Sequence, residues 1–282
     1  MTAENDVLRQ YLVQNFATIS SSPLPQPRAL SSLLNGIAPR ENNEERRIGA
    51  RSAQLFVTAA VDMWHRSVHS FLISASMTAA SPIWSAVTGY YSSHYSVRGL
   101  AHLLGNFQLF KTSKLVHLRS ENGQNICLFK KKPDRGGGEH RIYWNLVKAH
   151  SLFQDDPIFT RNESDSDTSD IGHRNYANYI DHLFLYPQFA IVNEDDLKER
   201  IERISKIVLD SAPLPRLSRF PDLEFVQLIA YHRIVRFRNF LDEVLGTDSD
   251  FWTESRTPSF ASQYMDFQVV EGSGLAQPSM PQ

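Results

Sequence analysis

The segment 84–105, WSAVTGYYSSHYSVRGLAHLLG, constrains the fold most, because it predicts one long helix with two different faces. One helical stripe consists of Tyr90, His94, Val97, Ala101 and Leu104. A second stripe consists of Tyr91, Tyr95, Arg98 and His102. A buried arginine or histidine needs a polar partner, since an unpaired buried polar group is destabilising. The segment is therefore either a core helix with a satisfied polar seam or part of a functional site.

Length and composition indicate a globular protein with a substantial core. The chain has 282 residues, of which 41% are hydrophobic and 11% aromatic. Its one cysteine, Cys127, excludes an internal disulfide and a cysteine-based zinc site, which favours a reducing, cytoplasmic location. We expect no signal peptide, and no membrane-spanning helix, because no uninterrupted apolar run approaches the required length.

The net charge of −2 conceals a basic block beside an acidic one. Residues 107–150 contain nine lysines and arginines against three acids, whereas residues 154–170 contain six acids and one arginine. The basic loop includes Lys130, Lys131, Lys132 and Arg135. These side chains are candidates for binding phosphates of RNA or DNA. The alternative is that two solvated loops of opposite charge attract each other.

The hydrophobic periodicity predicts a mostly α fold with one inserted β-hairpin. We expect helices at about 48–76, 84–104, 139–153, 172–185, 193–209 and 222–245. Alternating runs around Asn122-Gly123 predict the hairpin. Three prolines within residues 23–27 predict a linker at 20–28. The predicted divisions are an N-terminal helix and linker (1–47), a helical domain (48–246) with the hairpin insertion at 107–138, and an irregular, partly disordered tail (247–282).

The segment HRNYANYIDH carries the richest polar pattern. On a helix, Arg174, Asn178 and Asp181 would share one stripe, with His182 one turn beyond Asn178. An arginine can hold a phosphoryl oxygen while a histidine acts as acid or base, so the pattern indicates a phosphate-handling site. The alternative is an arginine–aspartate pair on a helix surface.

The segment YHRIVRFRNFLDE and the remaining histidines favour structural roles. His232 and Arg236 interrupt an apolar stripe of a predicted central helix, and Arg238 can pair with Asp242 at i, i+4. Internal clamps between helices are the favoured interpretation. His65 and His69 have metal-binding spacing but no evident third ligand. Since the GxGxxG, HExxH and GxSxG motifs are absent as well, we expect no metal and no cofactor.

Two segments carry a resemblance to the HEPN domain family. YYSSHYSVRGLAHLLG resembles the family's second helix, at Tyr90, Tyr91, Tyr95, Arg98, Leu100 and Leu103. HRNYANYIDH is similar to the family helix that bears its Arg–polar pair, at Arg174, Asn175, Ala177, Asn178 and Tyr179. The resemblance covers about residues 49–246. It implies a HEPN-like helical bundle, often dimeric, here with an inserted hairpin.

The resemblance also implies an RNA-directed function, because many HEPN proteins are metal-independent ribonucleases of toxin or antiphage type. Arg174, Asn175 and His182 would then be catalytic. Seven residues separate Arg174 from His182, whereas the family motif has four to six. Additional binding residues would be Asn178, Asp181, Arg98 and His102. The expected partners are RNA and a second copy or another protein, with no membrane. The alternative is a non-catalytic helical scaffold or partner-binding module.

Overall fold

A computed structural model describes residues 27–40, 44–48, 50–108, 115–121, 125–131, 139–160, 194–207, 223–245 and 275. The helices are α1 (Pro27–Ile37), α2 (Ala50–Ser76), α3 (Pro82–Leu103), α4 (Glu139–Lys148), α5 (Pro157–Thr160), α6 (Glu194–Ser205) and α7 (Leu223–Leu245). The strands are β1 (Glu45–Arg47), β2 (Asn106–Gln108), β3 (Leu115–Glu121) and β4 (Asn125–Lys131). The described part of the chain is mostly helical, as predicted.

Helices α2 and α3 form an antiparallel hairpin joined by reciprocal serine hydrogen bonds. Ser67 Oγ donates to the Ser92 carbonyl at 2.7 Å, and Ser92 Oγ donates back to the Ser67 carbonyl at 2.8 Å. One heptad away, Ser74 and Ser85 exchange the same pair of bonds, both at 2.7 Å. Small side chains let the two backbones approach, and each of these four serine hydroxyls has a partner.

Helix α7 packs against the same hairpin at two glycines of α3. A Cβ atom on Gly99 would overlap the ring of Phe237, and one on Gly89 would lie 2.8 Å from Cγ1 of Val226. The close approach therefore requires glycine at both positions. Around this contact lies a core whose largest fully buried side chains are Trp64, Tyr90, Tyr143, Phe56, Phe71, Phe107, Phe159, Phe237 and Leu100.

The predicted hairpin is confirmed as the centre of a larger sheet. β3 and β4 pair antiparallel from Leu115 opposite Lys131 to Glu121 opposite Asn125. The strand order is β1-β4-β3-β2, so two three-residue strands flank the hairpin. We did not predict these two strands, because three residues are too few to show an alternating pattern. Phe107 of β2 meets Phe56 of α2 edge-to-face, with centroids 5.2 Å apart, which joins the sheet to the helices.

Three sequence predictions need correction. The predicted linker at 20–28 extends too far, because α1 begins at Pro27, and proline is tolerated in the first turn of a helix. The helix predicted at 139–153 ends at Lys148 and continues as turns to residue 155. The helix predicted at 193–209 ends at Ser205. In the predicted tail, Leu275 is buried in the core, and the rest of the tail lies outside the described residues. The helix predicted at 172–185 and the turn at Asn122-Gly123 lie outside the described residues. No described helix is sufficiently long and apolar to cross a membrane.

Candidate functional site

Tyr91 and Tyr95 of the second stripe of α3 form a half-exposed face, together with Trp84 two helical turns before Tyr91. Tyr91 and Tyr95 are half-buried, with ring centroids 6.0 Å apart. Trp84 lies on the same stripe seven residues before Tyr91, and it is 56% exposed. The flat ring of Trp84 is open to solvent, so a planar ligand can stack on it. We call this surface, with the adjacent Arg66 of α2, the hairpin face.

Arg66 is held against the hairpin face by two neighbours. Its Nε donates to Oδ2 of Asp62 at 2.9 Å, and Tyr95 of α3 lies near its guanidinium. Partial burial of Arg66 disfavours its charged form and so lowers its pKa. The hydrogen bond to Asp62, the negative charge of that carboxylate and the nearby Tyr95 outweigh this effect. The pKa of Arg66 is therefore raised above the ordinary value. The Arg66 side chain remains 53% exposed. A fixed, charged guanidinium therefore lies beside aromatic rings at the surface.

Toward the C-terminal end of α3, polar side chains from both stripes pack around Tyr143 of α4. The guanidinium of Arg98 lies 5.3 Å from the centre of the Tyr143 ring. His94 and His102 each meet that ring edge-to-face, with centroids 6.3 Å and 6.1 Å away. A cation over an aromatic ring is favourable, and more so when it is partly desolvated. This part of the polar seam of α3 is thus packed around one tyrosine.

His102 lies in the interior rather than on a binding surface. It is 4% exposed, and burial, reinforced by the charge of Arg98, lowers its pKa to about 3 despite a hydrogen bond to the Ala59 carbonyl. Its Nδ1 has no hydrogen-bond partner within the described chain. The ring is therefore neutral at physiological pH, and the predicted binding role of His102 stays a prediction.

The polar residues of α7 act as internal clamps, as the sequence favoured. Nε and Nη2 of Arg233 donate to the Ile158 carbonyl at 3.0 and 2.8 Å. Arg236 Nε donates to Oδ2 of Asp156 at 3.1 Å. His232 Nε2 lies 2.8 Å from the Ile207 carbonyl, which can only accept, so the proton is on Nε2.

Arg238 forms the most elaborate of these clamps. Its Nε donates to both carboxylate oxygens of Asp242, at 2.9 and 3.0 Å, which confirms the predicted i, i+4 pair. Its guanidinium also lies 5.0 Å from the centre of the Trp64 ring. The neighbouring His65 has its pKa lowered to about 4 by burial and by the charge of Arg238. No three His, Cys, Asp or Glu side chains of the described residues group as metal ligands.

Most of the predicted site residues fall where the structure gives no side-chain position. Arg174, Asn175, Asn178, Asp181 and His182 lie outside the described residues, as do Lys132 and Arg135. Lys130 and Lys131 belong to strand β4, but only their backbone is described. Their roles stay predictions. Sequence reasoning did not single out Arg66 and Trp84. The signals were present, since Asp62 and Arg66 have i, i+4 spacing and Trp84 continues the Tyr91 stripe.

Comparison of the chain with family models, curated proteins and solved structures found no match.

Proposed function

We propose that this protein is RNA-directed and binds single-stranded RNA along the hairpin face. The observation that carries the proposal is the row of Trp84, Tyr91 and Tyr95 on one stripe of α3, with Trp84 exposed and Arg66 beside Tyr95. The row extends over 11 residues, which is about 16 Å along a helix axis. That length accommodates several nucleotides of an extended strand.

The chemistry of unpaired RNA fits this row. Unstacked bases offer flat π-faces, and each base that stacks on an aromatic side chain contributes about 1–3 kcal/mol. An arginine next to the rings can bind a phosphate. Arg66 is the arginine that the described residues place beside these rings, and Asp62 pairs with it, so stacking supplies most of the affinity on this face. We therefore expect binding that weakens only modestly as salt is raised.

Removing the exposed Trp84 ring or the half-buried Tyr95 ring should weaken RNA binding. We expect Trp84→Ala and Tyr95→Ala each to raise the Kd for a fluorescein-labelled single-stranded RNA about tenfold, since each loses one stacking contact. Fluorescence anisotropy measures the effect, with DNA of the same sequence and duplex RNA as further ligands. Leu152→Ala is the matched control, because Leu152 is 38% exposed in the turns after α4. Equal Kd values for the Trp84→Ala protein and the unmodified protein would contradict the stacking role.

The HEPN resemblance supports a second step, cleavage of the bound strand. Arg174 would hold the scissile phosphate, Asn175 or Asn178 would orient it, and His182 would act as acid or base. The 2′-oxygen loses its proton and bonds to phosphorus as the P–O5′ bond breaks, and the leaving 5′-oxygen gains a proton. We expect Arg174→Ala and His182→Ala each to lower the cleavage rate by about 10²-fold or more, in the presence of EDTA, with circular dichroism unchanged. Glu199→Gln, at an exposed position of α6 outside this segment, serves as the comparison. Cleavage by the His182→Ala protein at the unmodified rate would rule out this assignment.

The second candidate is a non-catalytic helical scaffold. It is favoured by one observation: Arg233, Arg236 and Arg238 of α7, which could have lined a site, all bind groups of this chain instead. RNA binding that depends on Trp84, with no cleavage of any RNA, would indicate a binding module. No RNA binding at low salt would leave a scaffold for a protein partner.

A further inference from the structure

We propose that Arg66 is the phosphate-binding residue of the hairpin face and that Asp62 limits its affinity for that phosphate. The inference deepens the proposed function and rests on it. Arg66 binds a phosphate of the RNA backbone, and the negative charge of Asp62 weakens this binding.

The orientation of Arg66 is set before any ligand arrives. A guanidinium presents five N–H donors in a rigid planar fork. Its single Nε–H points at Oδ2 of Asp62, 2.9 Å away, so the donors of the two terminal nitrogens remain for other acceptors. Because the side chain is half-exposed, an RNA phosphate can reach those donors. Little side-chain entropy is then lost on binding, since the fork is already positioned.

The position of Arg66 beside Tyr95 fixes where a bound phosphate lies relative to the bases. Ser67, the neighbour of Arg66, hydrogen-bonds Ser92 and Ser96 of α3, which places Arg66 near Tyr95, whose ring lies 6.0 Å from that of Tyr91. A phosphate on Arg66 would therefore lie beside Tyr95, the last ring of the row. Backbone and base of one nucleotide can be bound together, which a lysine on a flexible stem would achieve less well.

Asp62 opposes this phosphate. Its carboxylate neutralises much of the charge of Arg66, and its own negative charge repels a phosphate bound on the other side of the fork. The Asp62 side chain is 23% exposed, so solvent screens it less than a fully exposed group. The phosphate would lie within the Debye length of about 8 Å at physiological ionic strength. Replacing Asp62 by asparagine keeps an acceptor for Nε but removes the charge.

The test compares Asp62→Asn, Arg66→Gln and the double variant with a fluorescein-labelled single-stranded RNA of about 12 nucleotides. We expect Asp62→Asn to bind about three- to tenfold more tightly and Arg66→Gln to bind about tenfold more weakly. Loss of one phosphate contact should also reduce the magnitude of the log Kd against log salt slope by about 0.7. In the double variant, Asp62→Asn should no longer tighten binding, because its effect acts through Arg66.

A matched ion pair elsewhere serves as the control. Arg203 Nε of α6 lies 3.0 Å from Oε1 of Glu224 in α7, and both side chains are nearly half-exposed. Glu224→Gln and Arg203→Gln remove the same charges from helices outside the hairpin face. We expect both variants to bind RNA as the unmodified protein does. A tightening by Glu224→Gln equal to that by Asp62→Asn would indicate a general charge effect and overturn the inference.

The results that would contradict RNA binding differ from those that would contradict only the roles of Arg66 and Asp62. If the unmodified protein does not bind the RNA at low salt, the proposed function and this inference both fall. If it binds, and Trp84→Ala weakens binding while Asp62→Asn and Arg66→Gln leave the Kd and the salt slope unchanged, only the inference falls. Circular dichroism confirms that each variant is folded, as expected for changes at a largely exposed ion pair.

Discussion

Gly99→Ala is expected to lower the free energy of unfolding by about 2–3 kcal/mol. A Cβ atom at this position would overlap the ring of Phe237 and lie 3.1 Å from Cβ of Met63. Phe237 is fully buried, so its ring can move only by displacing other core side chains. Alanine is intrinsically the better helix former by about 1 kcal/mol, and the overlap must exceed that gain. Urea denaturation followed by circular dichroism measures the difference.

Two further variants separate the steric overlap with Phe237 from the other effects of the Gly99→Ala substitution. Gly36→Ala in α1 is the matched control, because a Cβ there meets nothing within 4 Å, and it should stabilise the protein by up to about 1 kcal/mol. In the Gly99→Ala background, Phe237→Leu should recover part of the lost stability, since the smaller side chain leaves room for the methyl group. An unfolding midpoint for Gly99→Ala at or above that of the unmodified protein would show that α3 and α7 do not pack as closely as described.

His102 should make the protein sensitive to acid. Burial lowers its pKa from 6.5 to about 3, so the folded state holds the ring neutral while the unfolded state protonates it. The stabilisation is therefore complete above about pH 6.5 and is lost as the pH falls toward the folded-state pKa. By linkage, His102 alone should remove about 3 kcal/mol of unfolding free energy between pH 7 and pH 4. Urea titrations at both pH values give this loss.

A variant without the titrating ring isolates this contribution. His102→Gln keeps a donor near the Ala59 carbonyl and cannot be protonated, so its stability should fall between pH 7 and pH 4 by about 3 kcal/mol less than that of the unmodified protein. His69→Gln, on the exposed side of α2, should keep the full pH dependence. Parallel losses for His102→Gln and the unmodified protein would contradict the burial of a neutral His102.

The long helices were predictable because their signal is spread over many residues. The segments that became α2, α3 and α7 repeat apolar residues at helical spacing over more than 20 positions each, and their observed bounds agree with the predicted ones to within two residues. The β3–β4 hairpin was predictable for a different reason, since Asn122-Gly123 is a local turn signal between alternating runs. Both kinds of pattern depend on neighbours in sequence, not on the rest of the fold.

The short elements needed partners that the sequence does not identify. β1 and β2 are three residues each and are strands only because β4 and β3 supply their hydrogen bonds. The start of α1 was hidden by the prolines of the preceding segment. For the candidate site, the spacing of α3 predicted which residues share a stripe. It did not predict that one end of that stripe is buried and the other is exposed.

The sequence by itself determined the helical class, the two faces of α3 and the pairing of Arg238 with Asp242, since each follows from spacing along one helix. Only the tertiary structure decided which polar residues remain at the surface. Tyr143 of α4 closes over Arg98 and His102, whereas Trp84, on the same stripe, remains mostly exposed. The physical reason is that periodicity defines a face of a helix, while burial depends on which other helix packs against each part of that face.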